Sequence, residues 1–352
     1  MSLSIGIIGL PNAGKSTLFN ALLKKQVADV SVYPFCTIKP NQGIVEVPDK
    51  RLDQLAKKLN LPKKIPAVIK FIDIAGLIKG AHKGQGLGNQ FLAHIRECDC
   101  LVEVVRFFED TRVSGIVDPE SDQEIIRAEL ILKDLETINK HLEKVKKEAK
   151  SDAKEAKKEL LVLEKIKEGL EKGQSINQSK LEMEEKDYLN NLCLLTAKPI
   201  ISVANLSEKD LSTRYQELES RGFLPLSARL ENELTELDKE EAKDYLNQLG
   251  LEESCLGRLI KRAYRELGLI TFYTLILNQQ IQAWPVLKGT KAPEAGGIIH
   301  SDFQKKFIMA EVINYQDLIE SGSWSKAKEK GKIRNEGKDY AIQDGDVIHF
   351  KI

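Results

Sequence analysis

The sequence has no excess of either charge, no long apolar run and few cysteines. Lys plus Arg and Asp plus Glu both number 53, so no global charge argues for nucleic acid and any basic surface must be local. The chain has no apolar run of 18 residues that could span a membrane, and an apolar strand begins directly after Met1-Ser2, so we expect no signal peptide. The five cysteines form no C-x-x-C pair, so we expect reduced thiols, as in the cytosol, rather than a disulfide frame or a zinc site.

A phosphate-binding loop is the clearest motif that is present. Residues 9–16 read G-L-P-N-A-G-K-S, which matches G-x-x-x-x-G-K-[ST], and the motif lies between an apolar strand (residues 3–8) and a helical pattern (residues 16–23). Backbone N–H groups of such a loop point at phosphates, while Lys15 should neutralise the β- and γ-phosphates and Ser16 should ligate Mg²⁺. The predicted nucleotide-binding residues of this loop are Asn12, Ala13, Gly14, Lys15, Ser16 and Thr17.

A second phosphate motif follows the apolar strand at residues 67–72. Its sequence, Asp73-Ile74-Ala75-Gly76, is a D-x-x-G in which Asp73 should hold Mg²⁺ through water and Gly76 should sense the γ-phosphate. Between the two motifs, Thr37 in the Pro-broken loop of residues 33–37 is the natural hydroxyl to complete the magnesium shell, although that threonine taken alone is also compatible with ordinary loop chemistry. The predicted metal ligands are therefore Ser16, Thr37 and Asp73.

The residues that usually read guanine are missing. After the strand at residues 199–204, the chain reads Asn205-Leu206-Ser207-Glu208 where a GTPase domain has N-K-x-D. The Asp of that motif accepts from guanine N1–H and the exocyclic amine, two donors that adenine lacks; a displaced carboxylate loses this discrimination. We therefore predict ATP, whose N6 amine the Asn205 oxygen or a loop carbonyl could accept, with Leu206 covering the base. The alternative is that Glu208 still reaches guanine after a small loop shift. Ser227 and Ala228, after the next short strand, complete the predicted base site.

Together these residues resemble the Obg-like ATPase, or YchF, family of P-loop proteins. The resemblance rests on the phosphate loop, on residues 73–81 (D-I-A-G-L-I-K-G-A), on residues 86–92 (G-L-G-N-Q-F-L) and on the N-x-x-E at residues 205–208, and it extends along nearly the whole chain. It implies a Mg²⁺-dependent, ATP-preferring hydrolase of slow intrinsic rate that associates with the ribosome, either its large subunit or the whole particle. We expect a monomer without membrane contact.

Changes of pattern along the 352 residues predict the fold. Strands alternate with helices up to about residue 118, which indicates an α/β domain with a mainly parallel sheet, whereas two apolar seams at residues 131–149 and 153–170 predict an inserted antiparallel coiled-coil hairpin. Residues 290–293, 300–303, 337–340 and 345–347 resemble the TGS domain, an α+β β-grasp module. We predict a P-loop nucleotide-binding domain at residues 1–118 and 196–267, the helical insertion at residues 119–195 and the TGS domain at residues 268–352.

Two segments carry local positive charge. The predicted hairpin tip, residues 140–158, contains eight Lys and four acids, and residues 325–338 contain six basic residues and two acids. Each has two interpretations, a solvated face or a surface that contacts phosphate, and the ribosome association implied by the family favours ribosomal RNA contact at the hairpin tip.

The catalytic group is the least defined part of the site. A Ras-like domain follows D-x-x-G with a Gln that orients water, but here Leu77 follows Gly76. The catalytic candidates are Lys15, Asn12 and Gly76, with Asn12 indicating either a K⁺ site or a loop-stabilising residue. Family members often carry His where this chain has Glu103; His82 could substitute, and we expect His94 to pack. Two functions stay open: an ATPase proper, and a nucleotide-gated binding module whose hydrolysis only resets binding.

Overall fold

The structure is a computed structural model of the 352-residue chain, and it describes residues 3–25, 41–74, 94–110, 115–149, 154–178, 182–251, 253–276 and 279–352. Three of the sequence-predicted residues, Thr37, Gly76 and His82, lie outside the described residues. In the part of the chain that is described, no helix combines the length and apolarity needed to cross a bilayer.

Helices and strands alternate through the first and last thirds of the chain, and helices alone fill much of the middle. The strands are β1 (Ser4–Ile8), β2 (Gln42–Glu46), β3 (Lys63–Ile65), β4 (Val68–Asp73), β5 (Cys100–Arg106), β6 (Ile200–Asn205), β7 (Leu224–Leu226), β8 (Leu269–Ile276), β9 (Gln280–Leu287), β10 (Met309–Asn314), β11 (Arg334–Glu336) and β12 (Asp346–Lys351). The helices are α1 (Lys15–Lys24), α2 (Lys50–Lys58), α3 (Pro119–Ala149), α4 (Lys154–Glu171), α5 (Met183–Leu189), α6 (Glu208–Ser220), α7 (Ala228–Leu234), α8 (Lys239–Gln248), α9 (Cys255–Glu266), α10 (Ala292–Ile299), α11 (Ser301–Lys305), α12 (Tyr315–Ser321) and α13 (Trp324–Glu329).

The chain divides into two compact units, each made of separated segments. One unit contains residues 4–24 and 71–255, and the other contains residues 1–3, 25–70 and 256–352. The division differs from the three expected domains, because residues 25–70 group with the C-terminal part and the helical insertion groups with the phosphate-binding part. We call the first the phosphate-binding unit and the second the C-terminal unit.

The phosphate-binding unit contains the predicted parallel sheet. Neighbouring strands β1, β5, β6 and β7 are all parallel, with Ile5 opposite Cys100 and Leu101 opposite Ile200, and β4 borders β1 on its other side. Every residue of β1 and β5 is buried, as expected for strands covered by helices on both faces. Since parallel strands end at the same edge, the residues that follow β1, β4, β5, β6 and β7 meet there.

The helical insertion is a hairpin, as predicted. Helices α3 and α4 are separated by four residues and share one buried apolar cluster that includes Ile138, Val145, Leu163 and Ile166, so they run antiparallel. Asp134 on α3, which is 1% exposed, anchors the hairpin to the segment before β6. Its carboxylate accepts from the backbone N–H groups of Leu195 and Thr196, both at 2.8 Å, and from the Thr196 hydroxyl at 2.7 Å.

The C-terminal unit is built on a mixed sheet with the order β11-β10-β12-β8-β9-β3. Strands β8 and β9 form an antiparallel hairpin, β12 is parallel to β8, and α10 contributes Ala292 and Ala295 to the core below the sheet. This arrangement agrees with the predicted α+β module. The strand β3 was not predicted, because it is only three residues long and is flanked by Pro62 and Pro66; it pairs parallel to β9, with Lys63 opposite Gln280.

An ion pair and two tyrosines tie α2 to the rest of the C-terminal unit. Arg51 donates to Asp49, with its Nε at 2.9 Å from Oδ1, and to Asp344, with its Nη1 at 2.8 Å from Oδ2. The hydroxyl of Tyr273 on β8 also donates to Asp49, and the Arg51 guanidinium lies 5.7 Å from the ring centre of Tyr315. These contacts, together with β3, explain why residues 25–70 group with the C-terminal part.

Candidate nucleotide-binding site

A cavity of about 720 Å³ lies at the carboxyl edge of the parallel sheet. It brings together the phosphate loop, the end of β5 and the predicted base motif, although these segments are up to two hundred residues apart in sequence. Its lining consists of Asn12, Gly14, Lys15, Ser16, Thr17, Phe108, Glu109, Asp110, Asn205, Leu206, Ser207, Glu208, Lys209, Ser227, Ala228, Arg229 and Leu230. A cavity of several hundred Å³ with convergent polar groups is what a nucleotide requires.

The phosphate loop has the backbone conformation that its sequence predicts. Asn12 and Gly14 both have positive φ, at 64° and 96°, so the loop turns sharply before α1 begins at Lys15. Asn is one of the few residues other than Gly that adopts this conformation readily, which gives Asn12 a conformational role independent of any ion. The Nζ of Lys15 donates to the carbonyl oxygen of Leu10 at 2.8 Å and thereby closes the loop.

Asn205 joins the phosphate loop to the base motif. Its Nδ2 donates to the carbonyl oxygen of Ala13 at 2.8 Å, and its Oδ1 accepts from the backbone N–H of Ala228 at 3.0 Å. The side chain is buried, so both bonds replace contacts with water that it cannot make. The sequence suggested that the Asn205 side-chain oxygen or a loop carbonyl could accept from adenine. In the structure that oxygen accepts from the backbone N–H of Ala228 at the start of α7. We therefore assign Asn205 a structural role, in which it connects the phosphate loop to α7.

Burial shifts the charged groups of the phosphate site in opposite directions. The pKa of Lys15 is lowered by its burial, an effect that the nearby Asp73 carboxylate opposes, and burial raises the pKa of Asp73 against the opposing effect of Lys15. Among the described residues, the buried Oδ1 of Asp73 has no hydrogen-bond partner. A buried carboxylate oxygen without a partner is costly unless a ligand satisfies it, so the site fits a hydrated divalent cation.

The base end of the cavity combines an apolar wall with one carboxylate. Leu206, which is 2% exposed, and the first residue of α6, Glu208, both line it, and Ser207 caps α6 by accepting from the N–H of Asp210. The hydroxyl of Tyr245 on α8 donates to Oε1 of Glu208 at 2.6 Å. Ser227 caps α7 and Ala228 begins it, so both predicted residues lie at the cavity.

Sequence reasoning missed the residues that follow β5. Phe108, Glu109 and Asp110 line the cavity, and the Arg106 Nε donates to the carbonyl oxygen of Phe108 at 3.0 Å while its guanidinium lies 5.2 Å from the phenyl ring. The predicted parallel sheet could have indicated these residues, because the carboxyl ends of its strands lie at the same edge. Tyr245 had no such signal, since its role depends on a hydrogen bond to a residue 37 positions earlier.

Two other candidate side chains lie elsewhere. Glu103 is buried on β5, where it accepts from Gln123 and Ser202 at 3.0 Å each, and it lines a separate cavity of about 180 Å³ beside α3 instead of the nucleotide cavity. Burial raises the pKa of Glu103 despite those two hydrogen bonds. His94 is exposed, so the expectation that it packs is wrong; the nearby Ile95 and Cys98 belong to the buried core instead.

Comparisons with known proteins match the chain over its full length. Residues 4–165 match a family model described as "50S ribosome-binding GTPase", and residues 269–352 match the YchF GTPase C-terminal family, described as a protein of unknown function. The chain is 47% identical to the "Ribosome-binding ATPase YchF" of Bacillus subtilis, covering 100% of this chain and 99% of that one, and 44% identical to the protein of the same name from Escherichia coli O157:H7, covering 99% of each. It also resembles the solved structure of the Schizosaccharomyces pombe YchF GTPase, with a TM-score of 0.88 and 36% identity over 99% of this chain and 98% of that one.

Proposed function

This chain belongs to the YchF family, and on that premise we propose that it is a ribosome-associated ATPase that hydrolyses ATP to ADP and phosphate with Mg²⁺. The relatives named above carry the words ribosome-binding and ATPase in their names. Within this proposal, the P-loop domain at residues 1–118 and 196–267 hydrolyses the nucleotide, and the helical insertion at residues 119–195 and the TGS domain at residues 268–352 respond to it.

One observation carries the choice of ATP: the cavity that holds the phosphate loop presents Leu206 and a tethered Glu208 to the base. Guanine needs two acceptors in fixed positions for N1–H and its exocyclic amine, and a site that lacks them loses about 10⁴ in discrimination. Adenine presents a single N6 amine, for which one carboxylate oxygen or a loop carbonyl suffices. The apolar Leu206 packs against either base.

The phosphate end supports hydrolysis by positioning and charge stabilisation. Lys15 would exchange its bond to Leu10 for the β- and γ-phosphates, and the backbone N–H groups of residues 12–17 would hold the phosphate oxygens. Ser16 and Asp73 would hold Mg²⁺, with Thr37 as the proposed further ligand, and the bound ion would neutralise charge that develops on the phosphate oxygens. Gly76 stays the proposed γ-phosphate sensor.

K⁺ is a second proposed ion, through Asn12. The positive φ of Asn12 supports the loop-stabilising interpretation equally, so the ion needs its own measurement. ATP turnover that is equal in potassium and sodium buffers would overturn the K⁺ proposal and leave the ATPase proposal intact.

The first experiment titrates the protein with fluorescent, non-hydrolysable ATP and GTP analogues in Mg²⁺ and K⁺ buffer. We expect ATP to bind at least about tenfold more tightly, which corresponds to 1.4 kcal/mol. Tighter binding of GTP would make the protein a GTPase in which Glu208 still reads guanine. Hydrolysis of ATP to ADP, measured as phosphate release, completes the test.

A nucleotide-gated binding module is the second candidate function, because Leu77 stands where a Ras-like domain has its water-orienting Gln. In that function, bound ATP sets the affinity for ribosomes and hydrolysis only resets it. Lys15→Ala, which weakens phosphate contact, would then abolish ribosome binding, whereas a variant that binds ATP without hydrolysing it would bind ribosomes normally.

We propose that the tip of the helical hairpin contacts ribosomal RNA. The tip carries lysines that pair with exposed acids, such as Lys140 with Glu136 at 2.7 Å, and such exposed pairs are weak enough to be exchanged for phosphate. In the basic patch at residues 325–338, Lys328 pairs with Glu311, whose side chain is only 9% exposed, compared with 38% for Glu136. This difference favours the hairpin over the C-terminal patch, in a protein that we propose to be cytosolic and monomeric.

Charge reversal tests the hairpin contact. The variant changes four lysines of the tip to Glu: Lys146, Lys147, Lys154 and Lys157. The matched control makes the same charge change at four exposed lysines of the C-terminal unit: Lys57, Lys58, Lys63 and Lys64. We expect sedimentation with ribosomes to fall only in the tip variant and its salt dependence to become shallower, because fewer counterions are released. Unchanged binding by the tip variant would remove the proposed contact.

A further inference from the structure

The carboxylate at the base end of the cavity is held by a tyrosine that lies outside the cavity. Glu208 lines the cavity, whereas Tyr245 does not occur among the described lining residues. The Tyr245 hydroxyl lies 2.6 Å from Glu208 Oε1 and donates to it. This bond therefore draws one oxygen of a cavity-lining carboxylate towards a residue outside the described lining.

Both ends of this hydrogen bond are held by local structure. Glu208 is the first residue of α6, directly after the capping residue Ser207. Tyr245 lies in the middle of α8, which begins with a capping box in which Asp238 accepts from the Glu241 N–H and Glu241 accepts from the Asp238 N–H. The next residue, Leu246, is buried and fixes the face of α8. The tyrosine therefore meets Glu208 from a firmly placed helix.

The Tyr245 hydroxyl is the donor in this hydrogen bond. The pKa of Tyr245 is raised above its usual value, first by the hydrogen bond that it donates to Glu208, so the hydroxyl stays a donor at neutral pH. The bond from Tyr245 uses one acceptor site of Oε1 and thereby fixes the direction in which the Glu208 carboxylate points.

We propose that Tyr245 is a positioning residue that sets the base preference of this site by fixing the direction of the Glu208 carboxylate through Oε1. Guanine offers two adjacent donors, N1–H and the exocyclic amine, and pairing both requires a carboxylate that presents one oxygen to each, which a carboxylate turned towards Tyr245 does not do. Adenine offers only its N6 amine as a donor at that edge and needs no second carboxylate oxygen. The inference rests on the proposed ATP function. It assigns the selectivity for ATP over GTP to Tyr245, which lies outside the N-x-x-E motif.

The helical insertion supplies a matched control. Tyr188 donates to Oε2 of Glu155 at 2.8 Å, so it makes the same type of bond between the same residue types, and neither partner lines the nucleotide cavity as described. Tyr188→Phe therefore removes an equivalent hydroxyl without touching the base site.

The experiment measures dissociation constants of non-hydrolysable ATP and GTP analogues for the full chain and four variants: Tyr245→Phe, Tyr188→Phe, Glu208→Asp, and Tyr245→Phe combined with Glu208→Asp. Tyr245→Phe releases the carboxylate to turn towards the base, so GTP should bind about fivefold more tightly or better, the value of one additional hydrogen bond, with little change for ATP. Glu208→Asp shortens the side chain by one methylene, which takes its carboxylate out of the reach of Tyr245. This variant should therefore also bind GTP more tightly relative to ATP. The double variant should show no further shift, because Tyr245 acts through Glu208, and Tyr188→Phe should behave as wild type.

The outcomes separate the inference from the function on which it rests. An ATP preference in the wild type that stays within twofold in Tyr245→Phe overturns the role of Tyr245 and leaves the ATPase proposal standing. An equal loss of affinity for both nucleotides also overturns it, because that pattern indicates a general structural role. A wild type that does not prefer ATP overturns the proposed function and the inference together. Phe keeps the ring of the half-buried Tyr245 and removes only its hydroxyl, so we expect Tyr245→Phe to fold.

Discussion

Asn205 lies within hydrogen-bonding distance of Ala13, with its Nδ2 at 2.8 Å from the Ala13 carbonyl oxygen across 192 positions of sequence. The contact is so close that Gly14 cannot carry a side chain, since a Cβ there would lie 2.1 Å from the same Nδ2. The first residue of the base motif is thus part of the phosphate site.

Asn205→Ala should weaken ATP and GTP equally. The change leaves the Ala13 carbonyl oxygen and the Ala228 N–H buried without partners, so both nucleotides should bind about tenfold to a hundredfold less tightly, while their ratio stays constant. Asn177→Ala, which removes an exposed 3.4 Å bond to the Lys198 carbonyl oxygen, is the control and should change neither constant. A selective loss of ATP would instead make Asn205 a reader of adenine.

Asp73→Asn should abolish the effect of Mg²⁺ on nucleotide binding without harming the free protein. Burial raises the pKa of Asp73, so the charged carboxylate costs stability at neutral pH, and the melting temperature without nucleotide should be equal or higher in the variant. The wild type should gain stability relative to the variant as the pH falls through that raised pKa. Titration of ATP analogues with Mg²⁺ or EDTA checks the first expectation and thermal melts check the second. A Mg²⁺ effect that survives in the variant would exclude Asp73 from the metal site.

Asp49→Asn should destabilise the C-terminal unit at neutral pH and much less in acid. Burial works to raise the pKa of Asp49, but hydrogen bonds from Arg51 and Tyr273 outweigh it and hold the pKa below its usual value. A lowered folded-state pKa gives stability above the unfolded pKa of about 3.9 that is lost as the pH falls through the folded value. We expect a loss of about 2 kcal/mol at pH 7, because Asn keeps the helix cap but not the charge.

The readout for that variant is tryptophan fluorescence during urea unfolding, since both tryptophans, Trp284 and Trp324, belong to the C-terminal unit. The difference between wild type and Asp49→Asn should shrink between pH 5 and pH 3. A difference that stays constant over this range would show that the Arg51 contact contributes packing and not charge.

Asp134→Ala should detach the base of the helical hairpin. The carboxylate accepts three hydrogen bonds in a buried position, so its removal leaves the N–H groups of Leu195 and Thr196 unpaired. We expect these two amides to lose protection from hydrogen exchange by about 3 kcal/mol or more. Thr196→Val keeps both backbone bonds to Asp134 but removes the hydroxyl that donates to Asp134 and accepts from the Ile176 N–H, so it should cost about 2 kcal/mol. Equal protection in wild type and Asp134→Ala would show that the apolar cluster alone anchors the hairpin.

Sequence reasoning succeeded where the chemistry is contiguous. The phosphate loop, the D-x-x-G and the N-x-x-E are each read within a few residues, and the parallel sheet that unites them follows from alternating apolar strands and helices. The ends of α8 are likewise marked in the sequence, by Asp238 and the acids of its first turn and by the following Gly250.

The features that sequence reasoning missed depend on contacts between residues far apart in the chain. The sequence left either the Asn205 oxygen or a loop carbonyl as the acceptor for adenine, and it gave no sign that this oxygen accepts from the Ala228 N–H. The link between Tyr245 and Glu208 joins two helices whose relative placement is set by packing. The strand β3 has neither length nor alternation, and only its partner β9 makes it a strand.

The pairing of β3 with β9 also has a consequence for synthesis of the chain. A ribosome that adds 5–20 residues per second leaves roughly 200 residues, or about 10–40 s, between the appearance of β3 and that of its partner. The phosphate-binding unit ends at residue 255 and can be complete within that interval. During the same interval, α2 and β3 lack their partners from residues 256–352. The order of the segments along the chain therefore allows the nucleotide-binding unit to fold before the C-terminal unit. A C-terminal fragment that starts at residue 268 lacks an edge strand of its own sheet.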